Sequence, residues 1–187
     1  MVHYSCAPMD TKKSCMARGS YISVHFKNAH EVGAAIKNMP LVKAEKYLHG
    51  VIAHKQVIAF RRYNGSIGRH GMGHAVHAPG NICRWPEAAC KEFLSLLQNL
   101  KANGEAKGLD VQDLIITHVQ VNKAPVTRRR TYRAHGRIGP YEKHPAHIEI
   151  MCTTKDVFIE KCPDAPLVRR MKRKEMKEKR VAEGESA

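Results

Sequence analysis

Apolar and polar residues alternate in two well-separated stretches. Over residues 115–121, IITHVQV, and 147–153, HIEIMCT, the period is two. In the second stretch Ile148, Ile150 and Cys152 share one face while His147 and Glu149 take the other, the pattern of a half-buried strand. A third alternation, Tyr21 to Phe26, places Ile22, Val24 and Phe26 on one side and predicts a third short strand. Elsewhere the period is helical. Asn28 with Glu31 three residues later resembles a capping box, and opens a helix to about Met39 with Val32, Ile36 and Met39 inward. Pro40 breaks it and suits the first turn of a second helix, which runs to about Gln56 on Ala44, Tyr47, Leu48, Val51 and Ile52. The longest helix starts at Trp85-Pro86-Glu87, carries the stripe Ala89, Phe93, Leu96, Leu97, Leu100, and ends at Gly104 or Gly108. That stripe should pack on the apolar face of the sheet. The predicted fold class is α+β: a small three-stranded antiparallel sheet against about three helices, with a long protruding β-hairpin and basic tails.

Two stretches escape both periods. Residues 58–84 carry five glycines, which deny them a stable helix, and Arg61, Arg62, Arg69 and Arg84 bracket them. Such a loop lets backbone amides approach phosphates while guanidinium groups clamp them. Between the two hairpin strands, at about 118–150, lies an arm with Lys123, Arg128, Arg129, Arg130, Arg133, Arg137 and Lys143 against the single acid Glu142. Nothing in it can build a core. Ala124-Pro125 stops the strand ladder from continuing regularly, because proline donates no hydrogen bond.

Charge sharpens this picture. The 187 residues carry a formal net charge of +15 and a pI of about 9.8, and the charge is clustered, which points to a polyanion. The chain divides into an irregular segment 1–18, a globular α+β part 19–155 that includes the arm, and a basic tail 156–187. The start lacks a basic region followed by an apolar core, so no secretory signal is expected, and no apolar run is long enough to span a membrane.

Candidate chemistry is sparse. No two of the six cysteines form a C-x-x-C pair, and reduced thiols are the simple reading. Cys152 and Cys90 fall on inward faces. His70, His74, His77 and Cys83 have a spacing that matches no usual zinc knuckle, so no metal is assigned. The glycine loop lacks the G-K-[ST] ending of a phosphate-binding loop. The chain is therefore read as no enzyme, with no cofactor. Arginine suits the arm because its planar fork bonds phosphate at two points and stacks on exposed bases. Tyr132 can stack on a base or pack against an arginine stem.

FRRYNGSIGR at 60–69, Cys83-Arg84-Trp85-Pro86, KGLD at 107–110 and QVNKAPVTRRRTYRAHGRIGPY at 120–141 resemble a universal family of large-subunit ribosomal proteins, counted twenty-second in bacteria and seventeenth in eukaryotes. The likeness covers roughly residues 1–155 and is eukaryotic in wording; the loop 70–83 and the tail depart from it. It implies a globular domain near the exit of the peptide tunnel, among neighbouring ribosomal proteins. It implies a hairpin threaded through ribosomal RNA, with its tip on the tunnel wall facing the nascent peptide. Arg128, Arg129, Arg130, Tyr132, Arg133, His135 and Arg137 would then lie at or near the tip. Arg61, Arg62, Tyr63, Arg69, Arg84 and Trp85 would bind RNA nearer the body. The implied place is the cytoplasmic ribosome, reached through the nucleus and nucleolus, with no membrane partner. The contrasting reading is a free-standing RNA-binding or chaperone module; a nuclease built on the histidine loop ranks below both.

Overall fold

The computed structural model describes residues 4–8 and 10–154 of the chain. The elements run β1 (Ser14–Ile22), α1 (Phe26–Ile36), α2 (Leu41–Ile52), β2 (Ile58–Ala59), β3 (Cys83–Arg84), α3 (Glu87–Ala106), β4 (Leu114–Lys123), β5 (Thr127–Tyr132), β6 (Ile138–Lys143) and β7 (Ala146–Thr154). The expected α+β architecture is present. A three-stranded antiparallel sheet in the order β1-β7-β4 carries the helices on one face, and β5 pairs with β6 in a separate ribbon. The basic tail 156–187 lies outside the described residues.

The core forms where the apolar stripes meet. Cys15 and Ala17 from β1, Ile148, Ile150 and Cys152 from β7, and Leu114 and Ile116 from β4 are all buried. They face Ala29, Val32 and Ile36 of α1, Leu41, Leu48 and Val51 of α2, and Phe93, Leu97 and Leu100 of α3. Each large apolar side chain removed from water contributes roughly 1.5–3 kcal/mol, so this layer dominates the stability of the body. A bulge at Thr117 shifts the register of β4 against β7. It changes which parity faces the helices: Leu114 and Ile116 before it, Val119 and Val121 after it. Those two valines meet α1 at Gly33, where an added Cβ would lie 3.0 Å from Val119 and 3.2 Å from Val121. Glycine is the residue that lets the helix come this close. Helix α3 ends just before Gly108, whose φ of +71° serves the left-handed turn that follows the cap.

Several expectations shift. The first strand is Ser14–Ile22, not Tyr21–Phe26, and Ser14–Arg18 is ordered strand where irregular chain was expected. The sequence signal there is faint because the residues facing the helices, Cys15 and Ala17, are small. The ladder with β7 holds β1, and α3 ties it further: Asn103 Nδ2 donates to the Met16 carbonyl, and Lys107 Nζ donates to those of Thr11, just before the strand, and Ser14. Helix α1 starts at Phe26 with His25 as cap and no side-chain cap bond, so the Asn28–Glu31 box does not form. Glu149, expected on the polar face, is only 6 % exposed. Its carboxylate accepts from the Ser5 amide (2.9 Å) and hydroxyl (2.7 Å) and lies 3.5 Å from Arg18 Nε. Burial alone would raise its pKa; the Ser5 bonds, with Arg18 and His118 nearby, outweigh it and hold the carboxyl below its usual range.

Candidate nucleic-acid interface

The arm begins where the sheet stops. The β4–β7 ladder ends at Lys123 opposite Ala146, and the β5–β6 ladder starts at Thr127 opposite Lys143. Between them the strands are joined by the Ala124 amide donating to the Pro145 carbonyl at 3.1 Å. Pro125 and Pro145, which have no amide to donate, occupy this junction. Beyond it the ribbon is held by six backbone pairings and by Thr131 Oγ1 donating to the Gly139 carbonyl. At the tip His135 takes φ +58° and the Arg133 amide donates to the Arg137 carbonyl at 2.8 Å, closing a short turn. Tyr132 is 78 % exposed, and Ile138 and Tyr141 are exposed too. Arg128 lies 3.5 Å from Glu142 with its side chain 83 % exposed, a pairing of little energy in water. Arg129, Arg130, Arg133 and Arg137 are exposed and meet no acid among the described residues.

The second basic region is the loop root, and its organiser is Glu31. This residue of α1 is 1 % exposed. Its two carboxylate oxygens accept the backbone amides of Arg61 (2.9 Å), Arg62 (3.2 Å) and Tyr63 (3.1 Å). A buried carboxylate satisfied by amides fixes the chain as it leaves Phe60, itself buried, and turns the side chains of Arg61 and Arg62 outward. Arg61 Nη2 reaches back to the carbonyls of Val76 and His77, both at 3.4 Å, and ties the loop to its own root. Tyr63 is half-buried, edge-on to Phe26 (5.8 Å) and His30 (5.2 Å), with Arg62 at 5.6 Å and Lys27 at 5.9 Å from its ring.

Farther along, the loop folds into two short 3-10 turns, Gly71–Val76 and Pro79–Asn81, and Arg69 bridges Ile82. The histidines serve the turns. His70 Nδ1 accepts the Met72 amide, and the His70 ring stacks edge-on to Trp85 at 5.0 Å. Cys83 is buried, and burial pushes its thiol up. No group of three or more metal-binding side chains gathers among the described residues. Trp85 is half-buried between His70 and His54, with its indole nitrogen turned inside, so its visible role is to pack the loop against the chain that follows α2. Arg84, on β3, is exposed.

Arg62, Tyr63, Arg84 and Lys123 are therefore brought together at the root of the arm, whereas the arm arginines lie out along the ribbon and Arg69 and Trp85 sit on the loop. Sequence reasoning missed three contributors to this region. Lys27 and Phe26 belong to it because the Phe26 amide donates to the His144 carbonyl at 3.2 Å, which docks the start of α1 against the arm. Lys123 Nζ stands 5.5 Å from the centre of the Phe26 ring. Glu31 was read as a cap; its real partners follow 30 or more residues later, beyond any local signal.

The family model for ribosomal protein L22p/L17e matches residues 17–153. The large ribosomal subunit protein uL22 of Anopheles gambiae is 48% identical over 164 residues, covering 88% of this chain and 87% of the relative. Its counterpart from Podocoryna carnea is 46% identical over 177 residues, covering 94% and 95%. That from Phlebotomus papatasi is 46% identical over 164 residues, covering 88% and 87%.

Proposed function

The chain belongs to the ribosomal protein L22p/L17e family, and on that premise we propose that its hairpin arm is threaded through large-subunit ribosomal RNA with its tip on the wall of the nascent-peptide tunnel. Membership makes it a structural component of the large ribosomal subunit, working in translation on the ribosome, and not an enzyme. RNA binding divides between two surfaces. The arm supplies Arg128, Arg129, Arg130, Arg133 and Arg137 for phosphates, with Tyr132 and His135 for bases or for the passing peptide. The root of the arm supplies Arg62, Tyr63, Arg84 and Lys123, and Arg61 stands beside them at the root of the loop. Arg69 and Trp85 join from the loop side. The globular body sits near the tunnel exit beside other ribosomal proteins, and the protein passes through the nucleolus for assembly.

One observation carries this reading: a paired ribbon holds its arginines and a tyrosine out in solvent, with one weak arginine–carboxylate pair among the described residues to offset them. In isolation that charge repels itself; among phosphates each guanidinium replaces condensed counterions and gains bidentate bonds. The experiment is sedimentation of cell extract on a sucrose gradient, followed by a moderate-salt wash. The protein should travel with the large subunit and stay there. Recovery mainly in the light fractions, with binding that dissolves steeply in salt, would mark a free-standing RNA-binding module instead.

A further inference from the structure

At the root of the arm, a cleft of about 540 Å³ opens between the start of α1, the end of β3 and the Ala124–Val126 junction. Its floor is apolar, made of Phe26, Ala124, Val126 and Pro145; its rim is cationic, made of Lys27, Arg84 and Lys123. We propose that this cleft takes one unstacked nucleotide from a looped or single-stranded stretch of RNA, the base on the floor and its flanking phosphates on the rim. The proposal rests on the RNA-binding reading above and adds to it a class of RNA structure and a set of residues.

Four observations support it. The volume lies in the range of about 300–1,000 Å³ typical of clefts that enclose a small ligand. The floor is held by backbone bonds, Phe26 N–H to the His144 carbonyl at 3.2 Å and Ala124 N–H to the Pro145 carbonyl at 3.1 Å, so the cleft exists before anything binds. Val126 is 39 % exposed beside three cations, an apolar surface that a phosphate has no use for but a base does. Finally, a smaller cleft of about 290 Å³ shares Lys27, Asn28 and Arg84 with the first and extends to Arg62 and Tyr63, giving the strand a charged path onward.

The chemistry selects among polyanions. A duplex presents phosphates but keeps its base faces stacked, and would leave the floor in water. An acidic peptide would answer the rim, yet it lacks the flat apolar face that Phe26, Val126 and Pro145 offer a surface to. An extruded base satisfies both parts, and stacking of this kind is sequence-tolerant. Lys123 Nζ stands over the Phe26 ring at 5.5 Å, a rim cation that the phosphate flanking an entering base would draw outward.

The test uses the full chain and two RNAs of equal nucleotide count, a blunt duplex and a hairpin with 2-aminopurine in its unpaired loop. The hairpin should bind about ten-fold more tightly than the duplex at the same salt, with a change in 2-aminopurine fluorescence. Val126→Asp should remove that preference and the fluorescence change while retaining duplex binding. Lys27→Ala, an exposed position that leaves the fold intact, should weaken hairpin binding several-fold and serves if Val126→Asp fails to fold. Equal affinity of the unaltered protein for both RNAs, with silent fluorescence, would overturn the cleft and leave the broader reading standing. Failure to bind either RNA would overturn the broader reading itself. Displacement of the hairpin by poly-glutamate at equal charge concentration would show that the cleft belongs to an acidic protein, and would also overturn the proposal.

Discussion

The body and the arm of this protein use the same backbone pattern, antiparallel strand pairing, to opposite ends. In the body, Ile148, Ile116, Phe93 and Leu97 are fully buried, and the apolar face of the sheet is covered by the helices. In the arm, β5 and β6 pair over six rungs with no helix packed on them, and the residues that line them, three consecutive arginines of β5 among them, are mostly exposed. The body is thus completed by its own residues. Apart from Arg128 beside Glu142 and Thr131 on the Gly139 carbonyl, the arm's side chains make few contacts of their own, so its sequence makes physical sense with a polyanion around it. A two-stranded ribbon alone is marginal in water; here its base is gripped by the Ala124–Pro145 bond and by the continuation of β4 and β7 from the sheet.

The contrast can be tested by ranking substitutions by their effect on folding. The largest effect belongs to the core: Phe93→Ala should cost about 3–5 kcal/mol in urea unfolding, through lost burial and the cavity left behind. A cost below about 1 kcal/mol would mean that α3 does not carry the body.

Next comes Glu31→Ala, which strips three amides of their acceptor. Bonds to a charged group are worth roughly 1.5–3 kcal/mol, so we expect a loss of about that size. Amide exchange at residues 61–63 should rise sharply, with weaker binding at the root of the arm. Unchanged exchange there would show that the loop root is held by something else.

A smaller effect attends acidification. The Glu149 carboxyl is depressed in the folded protein, so its contribution is fully present above the ordinary value of 4.5 and is lost as pH falls through the lower folded value. The bonds to Ser5 should loosen first, read as faster hydrogen exchange of the Ser5 amide relative to an unprotected amide at the same pH. A Glu149→Gln variant should show that faster exchange already at neutral pH. If its exchange matches the unaltered protein at both pH values, the Ser5 contact holds nothing in place.

The smallest effect on folding is assigned to the arm. Replacing Arg128, Arg129 and Arg130 together by alanine should shift stability by less than about 0.5 kcal/mol. The same change should lower the salt slope of RNA binding by about three, one per phosphate contact. A steep fall in the melting temperature would erase the distinction between body and arm.

Much of this architecture was legible in the chain. The hairpin strands announced themselves by alternation, α3 by its stripe from Ala89 to Leu100, and the arm by arginines with nowhere to be buried. What stayed hidden was non-local. Strand β1 packs small residues, Cys15 and Ala17, whose periodicity carries little hydrophobic signal, while the stronger alternation from Ile22 to Phe26 straddles a strand end and a helix start. Glu149 sits at a polar position of a well-read strand, and the return of Ser5 across the sheet, with Arg18 beside it, encloses its carboxylate. Glu31 looked like a local cap because its true partners are distant in sequence. Lys27 and Phe26 enter the basic region through one backbone bond to His144, which no spacing rule contains. Local pattern reports elements; which distant groups they bring into contact depends on the packing.

The most direct measurement is cryo-electron microscopy of the purified large subunit, read at residues 122–146. The account predicts an extended ribbon with Arg128, Arg129, Arg130, Arg133 and Arg137 within hydrogen-bonding distance of ribonucleotide phosphates. A ribbon folded back on its own body, touching no ribonucleotide in the working particle, would contradict it.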